Sequence, residues 1–224
     1  MGKIKISPDE LTFTPLQQAI FDKFAQDRQL RQFYFTGGTA LSAIYLHHRE
    51  SEDMDFFSER EFGNNTTDEF VQKVAKSTKT RIQFNQIGGT RMYQLTRSKI
   101  PIIKIDFNFY PYKRLEKGIK INGVEIDSLR DIGVNKLQTI ISRTQIKDFV
   151  DLYFLLKQFT LWDLIYGLEP KFNMEFDYFL VSNAFFKIRG FERLPKMLVQ
   201  LTLKELKDFY MELAKKIGMR ITEK

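Results

Sequence analysis

Apolar residues along the chain change their period near its middle. Up to about residue 126, short apolar runs of strand length alternate with helical stretches; beyond it, a period near 3.6 prevails. Thr14-Pro15 pairs an N-cap with a proline at the first helical position and opens a helix to about Arg28. Phe33–Phe35 reads as a short strand and Gly37-Gly38 as a turn. Thr39–His47 reads as a helix with Leu41, Ile44 and Tyr45 on one side, and Met54–Phe57 as a second strand. Thr66 or Thr67 is expected to cap a helix running to about Ser77. Three strands follow at residues 80–87, 91–96 and 100–110, then a hairpin, IKINGVEI, with an Asn-Gly turn. Ser128–Ser142 and Thr144–Gln158 have helical patterns, as do LWDLIYGLEP, NMEFDYFLVSNAFF and TLKELKDFYMELAKKIG. The pattern predicts an α+β chain with a mixed α/β domain over residues 1–126 and an all-helical domain over 127–224.

Composition narrows the class. Hydrophobic residues make up 43% of the 224 positions, enough for a sizeable core. No apolar run approaches the roughly 18 residues of a membrane span, and the N-terminus has no apolar core of a signal peptide, so a soluble chain is expected. Cysteine is absent, which excludes disulfides and thiolate metal sites and fits a reducing cytoplasm. The net charge is +7. Between Phe70 and Ile105 lie eight Lys or Arg and no acid. Such a flank suits a polyanion such as a nucleotide or RNA, although a solvated surface with uneven charge gives the same pattern.

The chemistry concentrates in FTGGTALSAIYLHHRESEDMDFF, residues 35–57. On a strand, Asp53 and Asp55 point to one face. Two adjacent carboxylates repel each other, and a divalent cation between them removes that cost. Mg²⁺ suits an all-oxygen site and brings substrate phosphates with it. Asp106, in the apolar run IPIIKIDFNFY, is a third carboxylate, with Lys104 on its face. Three carboxylates from two strands can hold two metal ions about 4 Å apart and support in-line phosphoryl or nucleotidyl transfer. Gly37 and Gly38 let backbone approach a phosphate at a helix start, and the Thr39 hydroxyl is placed to bond a phosphate or cap the helix.

This order resembles the motif of the AbiEii/AbiGii-type nucleotidyltransferase toxins of the DNA polymerase β-like superfamily. The matching residues are Gly37, Gly38, Thr39, Ala40, Leu41, Tyr45, Leu46, His48, Arg49, Ser51, Asp53 and Asp55. A second block, SLRDIGVNKLQTIISRTQIKDFVDLYFLL, resembles the family through Asp131, Lys136, Arg143, Asp148 and Asp151, with Lys147 where the family usually has Arg. The resemblance covers residues 30–157. It implies a polymerase β-like mixed sheet with flanking helices followed by a helical half. It also implies a cytoplasmic toxin of a bacterial toxin–antitoxin or phage-defence pair with a cognate antitoxin. By the same resemblance, an NTP is the donor, RNA such as tRNA is the acceptor, Lys136 faces nucleotide phosphates and Asp148 acts on the acceptor or as a positioning base.

Read physically, Lys136 and Arg143 share one stripe of a helix with Ile132 and Ile140 and need an anion there. Asp148 and Asp151 sit in a nearly all-apolar helix and need cations. Arg49 is expected to clamp a triphosphate or to pair with Asp53 or Asp55. His48 is expected to pack or hydrogen-bond near the Asp-x-Asp strand, since no third ligand at metal spacing accompanies His47 and His48. Transfer to a small molecule or a protein hydroxyl, and a silent relative that only binds RNA or a partner, are the rival readings.

Overall fold

The computed structural model describes residues 11–175 and 177–222. The first ten residues, read above as lacking a leader, lie outside them. Thr14 caps α1 (Pro15–Gln26): its hydroxyl accepts from the Gln17 amide while the Gln17 side chain accepts from the Thr14 amide, a reciprocal box with Pro15 at the start. Strand β1 (Tyr34–Thr36) runs directly into α2 (Gly37–Ala40), which widens into a π-helical stretch, Leu41–Leu46. The helix read over Thr39–His47 is thus present but partly of π type. It stops at His47, whose φ is 48°.

Strand β2 (Met54–Ser58) is followed by α3 (Asn64–Thr78), which starts before the threonines expected to cap it. Gly63 holds the cap position, and Thr67 instead shares hydrogen bonds with Tyr93 and Arg91 inside the fold. Strands β3 (Arg81–Ile87), β4 (Thr90–Arg97) and β5 (Ile100–Phe109), with the hairpin β6 (Lys120–Ile121) and β7 (Val124–Ile126), complete a seven-stranded sheet among the described residues. Its order is β3-β4-β5-β2-β1-β7-β6. The sheet is mixed: β2 runs parallel to β5 and β1 parallel to β7, and the other pairings are antiparallel.

Register divides the sheet into two faces, since paired residues point to the same side. Phe35, Phe56, Phe107, Met54 and Ile105 share one face and are fully buried. Helices α1 and α3 cover it: the Phe24 ring stacks on Phe56 at 4.1 Å, and Phe70 meets Phe107 edge-on at 6.0 Å. Each such ring contributes about 1.5–3 kcal/mol by leaving water. The opposite face carries Tyr34, Thr36, Asp55, Asp106 and Lys104. There the Tyr34 hydroxyl is buried without a hydrogen-bond partner, while the Arg114 guanidinium lies 4.6 Å over its ring. Tyr34→Phe is therefore expected to be neutral or to stabilise by up to about 1 kcal/mol in urea unfolding; a loss above that would reveal a partner for the hydroxyl.

Contacts divide the chain into two units, Met1–Tyr45 with Ser51–Ser128 and Leu46–Glu50 with Leu129–Lys224. The second is helical: α4 (Leu129–Ser142), α5 (Ile146–Leu155), α6 (Leu161–Ile165), α7 (Leu168–Phe172), α8 (Tyr178–Phe186) and α9 (Leu203–Thr222). LWDLIYGLEP, read as one helix, is two, broken at Tyr166-Gly167; Pro170 falls in the first turn of α7, where its missing amide costs nothing. Leu46–Glu50 belongs to this unit through Arg49, which bridges to Met197, and through the His48 carbonyl, which accepts from Leu198. Among the described residues no helix is long and apolar enough to cross a membrane.

Candidate active site

In the first unit, register assembles the predicted carboxylates. Asp55 on β2 lies directly beside Asp106 on β5, and Thr36 at the end of β1 flanks Asp55 from the other side. Asp53 immediately precedes β2. Lys104, two residues before Asp106, places Nζ 2.6 Å from Asp106 Oδ2 and 3.7 Å from Asp53 Oδ2. Burial pulls the Lys104 pKa down, but Asp106 and then Asp53 and Asp55 outweigh it and hold the amine above its ordinary value, as an ammonium. Asp106 is almost buried, with 9% of its side chain exposed, whereas Asp53 and Lys104 are about one third exposed. The cluster is thus anchored at its base and open to solvent at its rim.

The glycine turn is shaped to this cluster. Gly37 has a φ of 77°, and a Cβ there would sit 2.3 Å from Asp55 Oδ2. Only glycine combines this conformation with that approach. Gly38 is the second residue of α2 and half-buried. Thr39 corrects an expectation. It is fully buried, and its hydroxyl donates to the Asp53 backbone carbonyl and pairs with the Ser51 hydroxyl at 2.8 Å, so it neither caps the helix nor faces a phosphate. Its work is to hold the backbone that carries Asp53. Gly37→Ala is expected to cost about 1–3 kcal/mol of stability from backbone strain. By displacing Asp55 it should also lower any activity of this cluster at least about 100-fold. Activity at wild-type level with an unchanged urea midpoint would refute this coupling of glycine to carboxylate.

Asp127, which the sequence reading passed over, is fully buried and accepts from the Thr36 hydroxyl at 2.8 Å. Its carbonyl accepts from the Tyr45 hydroxyl, so it ties both ends of the segment that carries the glycine turn. An acid placed between a hairpin and a helix was the available signal.

The second unit gathers the remaining predicted residues into a buried ion network. Asp151 Oδ1 accepts from His48 Nε2 at 2.7 Å and from Arg49 Nε at 2.6 Å, and Oδ2 accepts from Arg49 NH2 at 2.8 Å. Lys136 Nζ lies 2.6 Å from Asp151 Oδ2 and 2.8 Å from Asp148 Oδ1, and Arg143 takes both oxygens of Asp148. Arg49, expected to pair with Asp53 or Asp55 or to clamp a triphosphate, is 3% exposed and holds Asp151 through two nitrogens. His48, expected beside the Asp-x-Asp strand, binds Asp151 and lies 5.0 Å from the Phe154 ring. Both corrections have one cause: residues 46–50 fold with the helical unit. Lys136 and Asp148 are buried and mutually engaged, whereas half of the Arg143 side chain is exposed.

Protonation follows from this geometry. Burial raises the Asp148 and Asp151 carboxyls, but the adjacent cations outweigh it and hold both below the usual carboxylate range. Burial lowers His48 further than Asp151 raises it, so the imidazole is neutral. A base with a depressed folded pKa contributes stability above its unfolded value of 6.5 that is lost on acidification; depressed acids contribute stability above 3.8 that is lost below it. Lys136 is raised, so its contribution holds below 10.5 and fades at higher pH. Urea midpoints are therefore expected to be flat from about pH 7 to 10, to fall below 6.5, and to fall more steeply below 4. His48→Gln should remove the first decline only.

The donor chemistry of the first unit fits a hard divalent cation: three carboxylates, no sulfur, and a glycine cradle that leaves space at Asp55. Among the described residues no group of three His, Cys, Asp or Glu is arranged so that protein ligands alone could hold a metal ion. An ion here would complete its shell with oxygens from outside the protein, as Mg²⁺ does with phosphates.

Residues 18–214 match the family model described as nucleotidyl transferase AbiEii toxin, type IV TA system. An uncharacterized protein of Aquifex aeolicus (strain VF5) is 36% identical over 138 residues, 59% of this chain and 61% of the relative, so the match spans less than two thirds of that protein. Two solved structures from Helicobacter pylori share the fold. One is provisionally assigned as a nucleotidyltransferase, with a TM-score of 0.59 at 19% identity, covering 97% of this chain and 98% of that one. The other, JHP933, has a TM-score of 0.54 at 20% identity, covering 98% and 97%.

Proposed function

Because this chain belongs to the AbiEii family of nucleotidyl transferase toxins of type IV toxin–antitoxin systems, we propose that it transfers a nucleoside monophosphate from an NTP to a hydroxyl of RNA, and that an antitoxin counteracts it. The observation that carries this reading is the in-register pair Asp55–Asp106, with Asp53 and Lys104 at its edge.

Asp53, Asp55 and Asp106 would hold Mg²⁺, which supplies Lewis-acid stabilisation of the triphosphate and of the attacking oxygen. Lys104, held as an ammonium beside the carboxylates, would offset negative charge on a departing pyrophosphate. Gly37 and Gly38 would bring backbone close to phosphate oxygens beside the Asp55 carboxylate. Thr39 and Ser51 fix the Asp53 backbone, and Asp127 fixes Thr36. In the second unit, Asp148 has both oxygens occupied, so we assign it and Lys136 to positioning Arg143, whose half-exposed side chain is the one offered to an anion.

Exposed charge supports a polyanionic acceptor. Of the eight basic residues between Phe70 and Ile105, Lys73 pairs with Asp27, Arg91 is buried on Asp68, and Lys104 lies among the carboxylates. Lys76, Lys79, Arg81, Arg97 and Lys99 remain exposed, and an Arg97 hydrogen bond to the Thr78 carbonyl draws the ends of α3 and β4 together. Five cations at one end of the sheet suit a phosphate backbone. The test is incubation with each labelled NTP, Mg²⁺ and total bacterial RNA. Label in an RNA band that EDTA abolishes is the expected result. Label only on the protein or on a small molecule would reassign the acceptor, and absence of label from all of them would refute transfer.

A further inference from the structure

The helical unit contains a second cluster that nucleotidyl transfer does not use. Gly167 breaks α6 from α7, and Asn173, with a φ of 51°, ends α7 in a left-handed turn. Two reversals within a short stretch bring the side chains of α6, α7 and the start of α8 to one place. Trp162, Ile165, Tyr166, Glu169, Met174 and Tyr178 line a cavity of about 230 Å³ there. The Trp162 ring lies 6.1 Å from Tyr166 at 35° and 6.1 Å from Tyr178 at 61°, so the three rings are inclined to one another. Tyr166 is 70% exposed, an unusual setting for a large aromatic ring.

The charge around the cavity runs against that of the chain. From Trp162 to Tyr178 there are four carboxylates, Asp163, Glu169, Glu175 and Asp177, and one cation, Lys171. The Lys171 ammonium is buried at 2.5 Å from Asp131, so it neutralises none of them. Asp163 caps its own helix and feels Arg130. Glu169 is the charged side chain of the lining itself.

Aromatic faces with one carboxylate attract an organic cation, because the ring quadrupoles and the negative charge act together on a weakly hydrated positive group. A small inorganic ion keeps its water and gains little there. Since an engineered cavity of about 150 Å³ admits benzene, this one has room for a quaternary ammonium or a guanidinium. We propose that this cavity binds an organic cation head group, through Trp162, Tyr166 and Tyr178 with Glu169 as counter-ion. The proposal is independent of the transfer reaction.

Trp162 is the sole tryptophan of the chain, so its fluorescence reports on this cavity alone. The full-length protein would be titrated at constant ionic strength with choline, with N-acetylarginine amide, and with 3,3-dimethylbutan-1-ol as the uncharged counterpart of choline. A saturable change with at least one cation, with a Kd on the order of millimolar, and none with the alcohol is the expected result. A tighter response to choline would identify a free small molecule as the source of the cation, and a tighter response to the arginine amide a partner's side chain. Glu169→Gln should weaken binding about tenfold, and Tyr166→Leu should abolish it, with circular dichroism and nucleotidyl transfer unchanged in both. An equal response to the alcohol, no saturable response to either cation, or unaltered affinity in Glu169→Gln would overturn the proposal.

Discussion

Asp55→Asn should lower nucleotidyl transfer by about 10³-fold or more while leaving the protein at least as resistant to urea as the wild type. The two effects have one origin. Asp55 stands in register with Asp106, two carboxylates on neighbouring strands whose mutual repulsion the fold tolerates. Asparagine keeps the shape and removes one charge, relieving the repulsion with Asp106 at the expense of some attraction for Lys104. Under the proposed function the site would then lose an anionic oxygen for a cation, and charge stabilisation worth several kcal/mol in the transition state would go with it. The Lys104 contacts to Asp106 and Asp53 do not involve Asp55 directly, so the flanking geometry persists. Gel transfer assays and urea midpoints on the same preparation decide the matter. Retention of a tenth or more of the activity would show that Asp55 is not part of the reacting centre. A large fall in the midpoint would show that its charge serves the fold.

Asp151→Ala is expected to have the largest effect on stability, about 3–5 kcal/mol. One carboxylate accepts from His48, from Arg49 twice, and faces Lys136, all within 2.8 Å. Its removal takes away the carboxylate that two buried cations, Arg49 and Lys136, share. Thermal unfolding should move down by about 10 °C. The exposed pair Lys204–Asp208 provides the contrast: Asp208→Ala should change stability by under about 0.5 kcal/mol, since solvent screens it. Equal effects of the two substitutions would mean that the buried network contributes no more than a surface pair. Loss of transfer in Asp151→Ala without loss of stability would instead give the network a direct part in the chemistry.

Much of the architecture is legible in the chain because it rests on local rules. Thr14-Pro15-x-Gln17 is a helix start in any context, and the Asn-Gly turn closes its hairpin as read. Asp53, Asp55 and Asp106 stand out because carboxylates within or beside apolar strands contradict propensity, which is why they are proposed as the functional centre. The errors share a different character. Thr39 suits a phosphate bond or a helix cap on local grounds, because nothing local says that its hydroxyl meets the Asp53 carbonyl fourteen residues on. Thr67 looked like a cap because its partner Tyr93 is twenty-six residues away. Local sequence sets His48 beside the Asp-x-Asp strand and offers Arg49 a triphosphate or Asp53 or Asp55, whereas their partner, Asp151, is about a hundred residues distant.

Periodicity and residue type alone determined the α+β order, the three carboxylates, Lys104, and the glycine turn that Asp55 requires. They also showed that Lys136, Arg143, Asp148 and Asp151 needed ionic partners. Tertiary structure decided which partner each one took. A backbone element forms from neighbours within a turn or a strand, so its signal is written locally. An ion pair or a clamped hydroxyl depends on chain closure over tens of residues, and only the packed core, by excluding water, selects one carboxylate for Arg49 over the others within reach of the sequence.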